Sequence, residues 1–326
     1  MNPARRHFLQ CAGAAVAAPA LCRVAWPQTY PARTVRIIVS SLPGGGPDIA
    51  SRLLGDRLAA RWGHPVVVEN RPGAGGNIGA AEVAAAPPDG YTLLASQPSP
   101  ITTNALLYRK LNFDPAAFEH VIVMTTLPNT LVVRRDFPAN DVAGLTTYAR
   151  ANPGKVTFGS QGIGTTPHLT AELFARRIGA SLIHVPYRGS NQAVNDLVAG
   201  HIDLLFIQID SVREHYLAGR LKMLAVATDE RLASVKDVPT MAEAGFTDFR
   251  SNTWNAIAAP PRTPEPIVAT INAAMNELLH APDIVRQFER LDIQPVGGSP
   301  ADMAAFVREE TRRWGEVIKA ANIKPQ

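Results

Sequence analysis

Apolar and polar positions along the chain change period in a regular way. Residues 35–39, Val35-Arg36-Ile37-Ile38-Val39, read as a buried strand, 48–62 carry Ile49, Leu53, Leu54 and Leu58 on one helical face, and 65–69 return to a short β-branched run. A loop over 71–76, a helix over 78–86, the Pro88-Asp89-Gly90 turn and a strand over 91–95 follow. Alternation of this kind predicts a parallel sheet covered by helices. The pattern restarts after Pro153-Gly154: a strand over 156–158, a loop over 159–166, a helix to Ile178 closed by Gly179, and a strand over 182–185. A helix over 190–199 stopped by Gly200 and strands over 202–207 and 221–228 complete it.

Between the two arrays, 121–124 and 131–133 read as extended crossing segments, and 254–258 as a return crossing before Pro260-Pro261. The remainder is helical over 264–279, 282–291 and 300–321. The chain is therefore expected to cross twice between two α/β domains, with its last part packed on the first. Residues 30–127 plus 252–326 form one domain and 128–251 the other, an arrangement suited to hinge bending. A single large sheet is the alternative.

The first twenty residues differ from the rest. Arg5-Arg6, an acid-free apolar run over 8–18 and Ala18-Pro19-Ala20 have the layout of an export signal over 1–20. The string from Ala4 to Gln10 resembles a twin-arginine signal, with Ala4 and Gln10 in place of the usual hydroxyl residue and lysine; a Sec signal is the other route. Its apolar run is too short to span a bilayer. Cleavage would carry off Cys11, leaving Cys22 without an intramolecular partner.

With 326 residues, 46% apolar and 18% charged, the chain can bury a large core. Its net charge of +4 is spread among interleaved acids, which argues against a nucleic-acid partner.

The candidate chemistry lies in loops that follow strands and precede helices. Gly44, Gly45 and Gly46 bring bare backbone to a helix N-terminus, where N–H groups and the dipole favour an anion, although a tight turn has the same composition. Their spacing fits neither a dinucleotide fingerprint nor a phosphate loop. The second array has its counterpart in Ser160, Gly162, Gly164, Thr165 and Thr166, with Thr166 placed as the N-cap and Pro167 at the first helical position. If both loops face one cleft, two helix dipoles aim at one ligand. Tyr187 and Gly189 lie on the same rim. Arg188 there either pairs with ligand charge or is solvated, and Asp203 either orients a loop or is a polar strand-edge residue. There is no G-x-S-x-G elbow around Ser160, no H-E-x-x-H and no metal-ligand spacing around His168 or His184, so no catalytic group, metal or cofactor is implied.

These residues resemble a known family. Pro43-Gly44-Gly45-Gly46-Pro47-Asp48, Val67-Val68-Glu69-Asn70-Arg71-Pro72-Gly73-Ala74-Gly75-Gly76-Asn77, Pro88-Asp89-Gly90-Tyr91-Thr92-Leu93-Leu94, residues 159–168 and 184–189, Asp237-Val238-Pro239-Thr240 with Glu243-Ala244-Gly245, and 314–318 are similar, in order, to the substrate-binding proteins of tripartite tricarboxylate transporters, the Bug or TctC type. The resemblance covers residue 30 to the C-terminus. It implies a type II-like periplasmic-binding-protein fold and a monomeric clamp that delivers a carboxylate to membrane permease subunits. Ligand contacts would come from Gly44, Gly45, Gly46 and Asp48 in one domain and Ser160, Gly162, Gly164, Thr165 and Thr166 in the other. Two stretches depart from the family pattern, Ser96-Gln97-Pro98-Ser99 and Leu204-Leu205-Phe206-Ile207-Gln208, and they leave the ligand's distal end open. A ligand-presenting sensor and an enzyme acting on a carboxylate are the competing functions.

Overall fold

The computed structural model describes residues 30–325; the export signal expected over 1–20 lies outside them. In chain order the elements are β1 (Val35–Val39), α1 (Gly46–Trp62), β2 (Val66–Asn70), α2 (Asn77–Ala84), β3 (Thr92–Ser96), α3 (Asn104–Leu107) and β4 (Glu119–Arg134). There follow α4 (Val142–Ala151), β5 (Thr157–Ser160), α5 (Thr166–Arg177), β6 (Ile183–Pro186), α6 (Ser190–Val198), β7 (Leu204–Gln208), α7 (Arg213–Leu217) and β8 (Leu221–Val226). The chain closes with β9 (Asn252–Ala259), α8 (Glu265–Leu279), α9 (Pro282–Glu289), β10 (Gln294–Gly297) and α10 (Pro300–Ala320).

The fold is α/β, and it is built twice on one plan. In the first half β1 pairs in parallel with β2 and β3, and antiparallel β9 lies beside β3. In the second half β5 pairs in parallel with β6 and β7, and antiparallel β4 lies beside β7. The two predicted crossing segments 121–124 and 131–133 are one continuous 16-residue strand, β4. Its first part pairs with β9 up to Pro128↔Asn252, and its second part pairs with β7 from Asn129↔Gln208 onward. Hydrogen bonding is therefore continuous across ten strands while the cores are separate.

Burial on both faces explains why the central strands read as unbroken apolar runs. Val35, Ile37 and Val39 pack with Leu54, Leu58, Ile271 and Met275 on one face, and Ile38 packs with Leu94, Trp254 and Met303 on the other. In the second half Leu131 and Val133 join Phe158, Phe174 and Phe206, while Val132 joins Val194, Leu205 and Ile207.

Four elements escaped the sequence pattern: the short helices α3 and α7, helix α4 and strand β10. Helix α4 is announced only by its cap, where the Asp141 carboxylate accepts the Gly144 N–H at 2.7 Å. Strand β10 contains Pro295 and Gly297 and forms only because β4 offers it a partner. The C-terminal helix α10 does more than pack back on the first half. Trp314, Val317 and Ile318 also meet Leu169 of α5, together with Leu107 of α3.

Candidate functional site

Loops β1–α1 and β5–α5 share a design. In each, a glycine at positive φ (Gly44 at 80°, Gly164 at 81°) precedes the helix, and proline takes the second helical position. The third helical side chain then folds back to accept the N–H of that glycine. Asp48 Oδ2 accepts from Gly44 at 2.9 Å, and His168 Nδ1 accepts from Gly164 at 3.1 Å. The N–H of the first helical residue, Gly46 in α1 and Thr166 in α5, has no acceptor among the described residues. In each loop that N–H lies at the positive end of a helix dipole, and the N–H groups of Ser41, Leu42, Gln161 and Ile163 likewise have no acceptor among the described residues.

Asp48 is buried, and burial alone would raise its pKa. The Arg52 guanidinium at 3.0 Å, the Gly44 N–H and Asn70 together hold it below the usual carboxylate range. His168 is 3% exposed, and burial pushes its pKa down to about 3, with His184 adding to the shift. Its Nδ1 accepts a bond, so its proton resides on Nε2. His184, lowered to about 4 by burial, stacks on it with ring centroids 4.0 Å apart, and Phe158 stacks on His184 at 4.8 Å. The second loop therefore rests on a neutral imidazole pair.

Ser160 Oγ lies 2.7 Å from His184 Nε2, which is the pairing a nucleophile would need. That hydroxyl, however, accepts the Gly162 N–H at 3.1 Å and belongs to a residue only 2% exposed, so it braces the loop from within.

The halves touch through these loops. The Gly164 carbonyl accepts from Ser99 Oγ and Thr103 Oγ1 of the first half, both at 3.1 Å. A Cβ at Gly164 would stand 2.2 Å from Leu107, and one at Gly189 would stand 3.3 Å from Leu42. Gly189 thereby lies beside Leu42 of the first loop and Gly164 against Ser99, Thr103 and Leu107 of the first half, with Gly44, Gly45, Gly46 and Asp48 in the first loop and Ser160, Gly162, Thr165 and Thr166 in the second.

Other expected positions differ. Thr165, not Thr166, is the N-cap, and its hydroxyl donates to the Gly162 carbonyl at 2.8 Å rather than to the helix; Pro167 is second in α5, not first. The Tyr187 hydroxyl turns away from the rim to Asp196 at 2.7 Å, although its backbone N–H holds the Ser160 carbonyl at 2.9 Å. Asp203 precedes β7 and sits at the opposite strand ends. There it accepts from Arg134 Nε at 2.9 Å and from the N–H and hydroxyl of Thr157 at 2.8 and 3.0 Å. It is a clasp between strand beginnings and leaves the candidate set. Arg188 is exposed.

Several polar residues at the crossing were not singled out from sequence: Asn129, Ser251, Thr253 and Asn255, all buried. Asn129 lies between the two expected crossing segments and Asn255 inside the expected strand 254–258, which was the available signal, whereas Ser251 and Thr253 sit in a polar stretch. Among the described residues no group of acids, cysteines and histidines could hold a metal ion, and no helix is long and apolar enough to cross a membrane.

Comparison with known proteins agrees with this geometry. A family model described as "Tripartite tricarboxylate transporter family receptor" (TctC) matches residues 50–323. A protein from the tcbD–tcbE intergenic region of Pseudomonas sp. strain P51 is 38% identical, covering 89% of this chain and 86% of that protein. BugT of Bordetella pertussis is 35% identical over 91% of each. The solved structure of Rhodopseudomonas palustris Rpa4515 with adipate superposes with a TM-score of 0.86 at 36% identity, covering 91% of this chain and all of that one. MatC (Rpa3494) from Rhodopseudomonas palustris with bound malate gives 0.81 at 32% identity, covering 89% of this chain and all of that one. A chain that repeats one α/β plan with a Gly-rich loop before a helix in each half, and that matches this family over most of its length, belongs to the TctC family of solute-binding proteins.

Proposed function

We propose that the protein is a periplasmic clamp, not an enzyme, that captures a small carboxylate between residues 30–127 plus 252–326 and residues 128–251 and delivers it to the permease of a tripartite tricarboxylate transporter. The observation that carries this reading is the pair of N–H groups on Gly46 and Thr166, each first in a helix and without an acceptor among the described residues. Donors fixed in advance cost little ordering on binding. Charge-assisted bonds to backbone N–H contribute about 1.5–3 kcal/mol each, and each dipole roughly 0.3–2 kcal/mol.

Arg188 is the only Lys or Arg within 40–48, 96–104, 159–168 and 186–192. The anion is therefore held by neutral donors. Gly44, Gly45, Gly46, Ser160, Gly162, Gly164, Thr165, Thr166 and Gly189 supply the contact surface, while Asp48 shapes it. The relatives solved with adipate and malate supply the first ligands to try. The signal over residues 1–20 directs export and is then removed, and the mature protein acts as a monomer. A thermal-shift series with adipate, malate, citrate and an uncharged diamide tests the function, since ligand at 100 times Kd stabilises by about 2.7 kcal/mol. Stabilisation by the acids and not by the diamide is the expected result; no shift with any carboxylate contradicts the proposal.

A further inference from the structure

Six hydrogen bonds run head to tail through both crossings and return to the loop where they start. Gln161 Nε2 donates to Gln208 Oε1 at 2.7 Å, and Gln208 Nε2 donates to Thr253 Oγ1 at 2.8 Å. The Thr253 hydroxyl donates to Asn129 Oδ1 at 3.4 Å, and Asn129 Nδ2 donates to Ser251 Oγ at 2.8 Å. Thr170 Oγ1 gives its single proton to the Thr166 carbonyl at 2.7 Å, so the 2.5 Å contact between Thr170 and Ser251 has Ser251 as its donor. Every member from Gln208 to Thr170 is buried.

Gln161 and Thr166 bound the second ligand loop. Asn129 is the first β4 residue to pair with β7, and Ser251 and Thr253 flank the point where the chain returns through β9. A chain of bonds with one direction polarises cooperatively, and a break at any member leaves a buried donor or acceptor unpaired. Apolar residues would fill the same space without that penalty. The bonds must therefore fix the loop relative to the two crossings.

We infer that Gln208 and Thr253 are positioning residues that set the 161–166 loop by the geometry of the crossing segments. Hinge angle and ligand-loop shape are thereby coupled. This rests on the carboxylate-clamp reading only in taking that loop as ligand-bearing, and the test uses no ligand.

Amide hydrogen exchange of the full mature chain is measured for Thr253→Val, Gln208→Met, their double variant and Thr253→Ser, with residues 35–39 as internal reference. Each of Thr253→Val and Gln208→Met should speed exchange over 161–166 at least 5-fold relative to the reference. The double variant should be no faster than the faster single, because one break already interrupts the chain. Thr253→Ser, which keeps the hydroxyl, should match the wild type. Exchange within 2-fold of wild type in Thr253→Val, rates that multiply in the double variant, or a Thr253→Ser as fast as Thr253→Val overturns the inference. If Gln208→Met does not fold, the comparison of Thr253→Val with Thr253→Ser decides alone. A wild type that binds no carboxylate counts against the proposed function and leaves this result standing.

Discussion

His168 holds the Gly164 N–H in α5 with the same third-position fold-back by which Asp48 holds the Gly44 N–H in α1. One loop is closed by a carboxylate and the other by a neutral imidazole. An anion lying between the two helix ends meets one negative charge behind the first loop, compensated by Arg52, and none behind the second.

That asymmetry gives the protein a pH dependence. His168 and His184 have folded pKa values of about 3 and about 4, below the ordinary 6.5. A folded value lowered in this way means that their contribution is full above pH 6.5 and is lost as pH falls toward 4 and 3. Stability at pH 4.5 should be lower than at pH 7 by on the order of 5 kcal/mol, about half of it from each histidine, with carboxylates such as Asp48 acting in the same direction. Urea denaturation across pH 4–8 measures the slope, and His184→Asn should flatten it between pH 4 and 6.5.

The three glycines of the first loop are required for different reasons. Gly44 is at positive φ, and a Cβ on Gly46 would come 2.8 Å from Asn255 Nδ2. At Gly45 the nearest atoms to a Cβ are 3.5 Å away, an ordinary contact, and φ is −81°. Gly45→Ala should therefore fold with a loss under about 1 kcal/mol, against about 1–2 kcal/mol for Gly44→Ala. If the ligand closes on this backbone, Gly45→Ala weakens carboxylate affinity at least 10-fold; an unchanged Kd by calorimetry would place the ligand elsewhere on the rim.

Asp203→Asn and Arg188→Ala separate stability from binding. Asp203 clasps Arg134 and Thr157 away from the rim, so Asp203→Asn should lower stability by about 1–3 kcal/mol and leave Kd within 2-fold. Arg188 is exposed, so Arg188→Ala should change neither by more than about 1 kcal/mol. Loss of binding in Arg188→Ala would replace the backbone grip with an ion-pair clamp.

Glu310 Oε2 accepts two indole N–H groups, from Trp254 of β9 at 3.0 Å and from Trp314 of α10 at 2.9 Å. Glu310→Gln keeps one acceptor oxygen and should cost little. Glu310→Ala leaves both buried donors unpaired and should cost roughly 3–5 kcal/mol by denaturation, since each orphaned donor carries about 1–3 kcal/mol and the lost side chain leaves a void.

The sequence by itself determined the α/β class, the repeated strand–loop–helix plan and the two Gly-rich loops. Local propensity and periodicity are enough for these: a strand buried on both faces is mostly apolar, as 35–39 are apart from Arg36, and a helix N-terminus advertises itself by glycine and proline. Tertiary structure decided everything that depends on a distant partner. It turned 121–124 and 131–133 into one strand because β9, β7 and β8 pair along its whole length. It gave Pro295 and Gly297 a place in a strand, carried Asp203 to the wrong end of the sheet for binding, and turned the Tyr187 hydroxyl to Asp196. Asn129, Ser251 and Thr253 are ordinary polar positions in the sequence, and only folding shows that they satisfy one another: Asn129 and Ser251 are 122 positions apart in sequence, and no local pattern records a hydrogen bond over that separation.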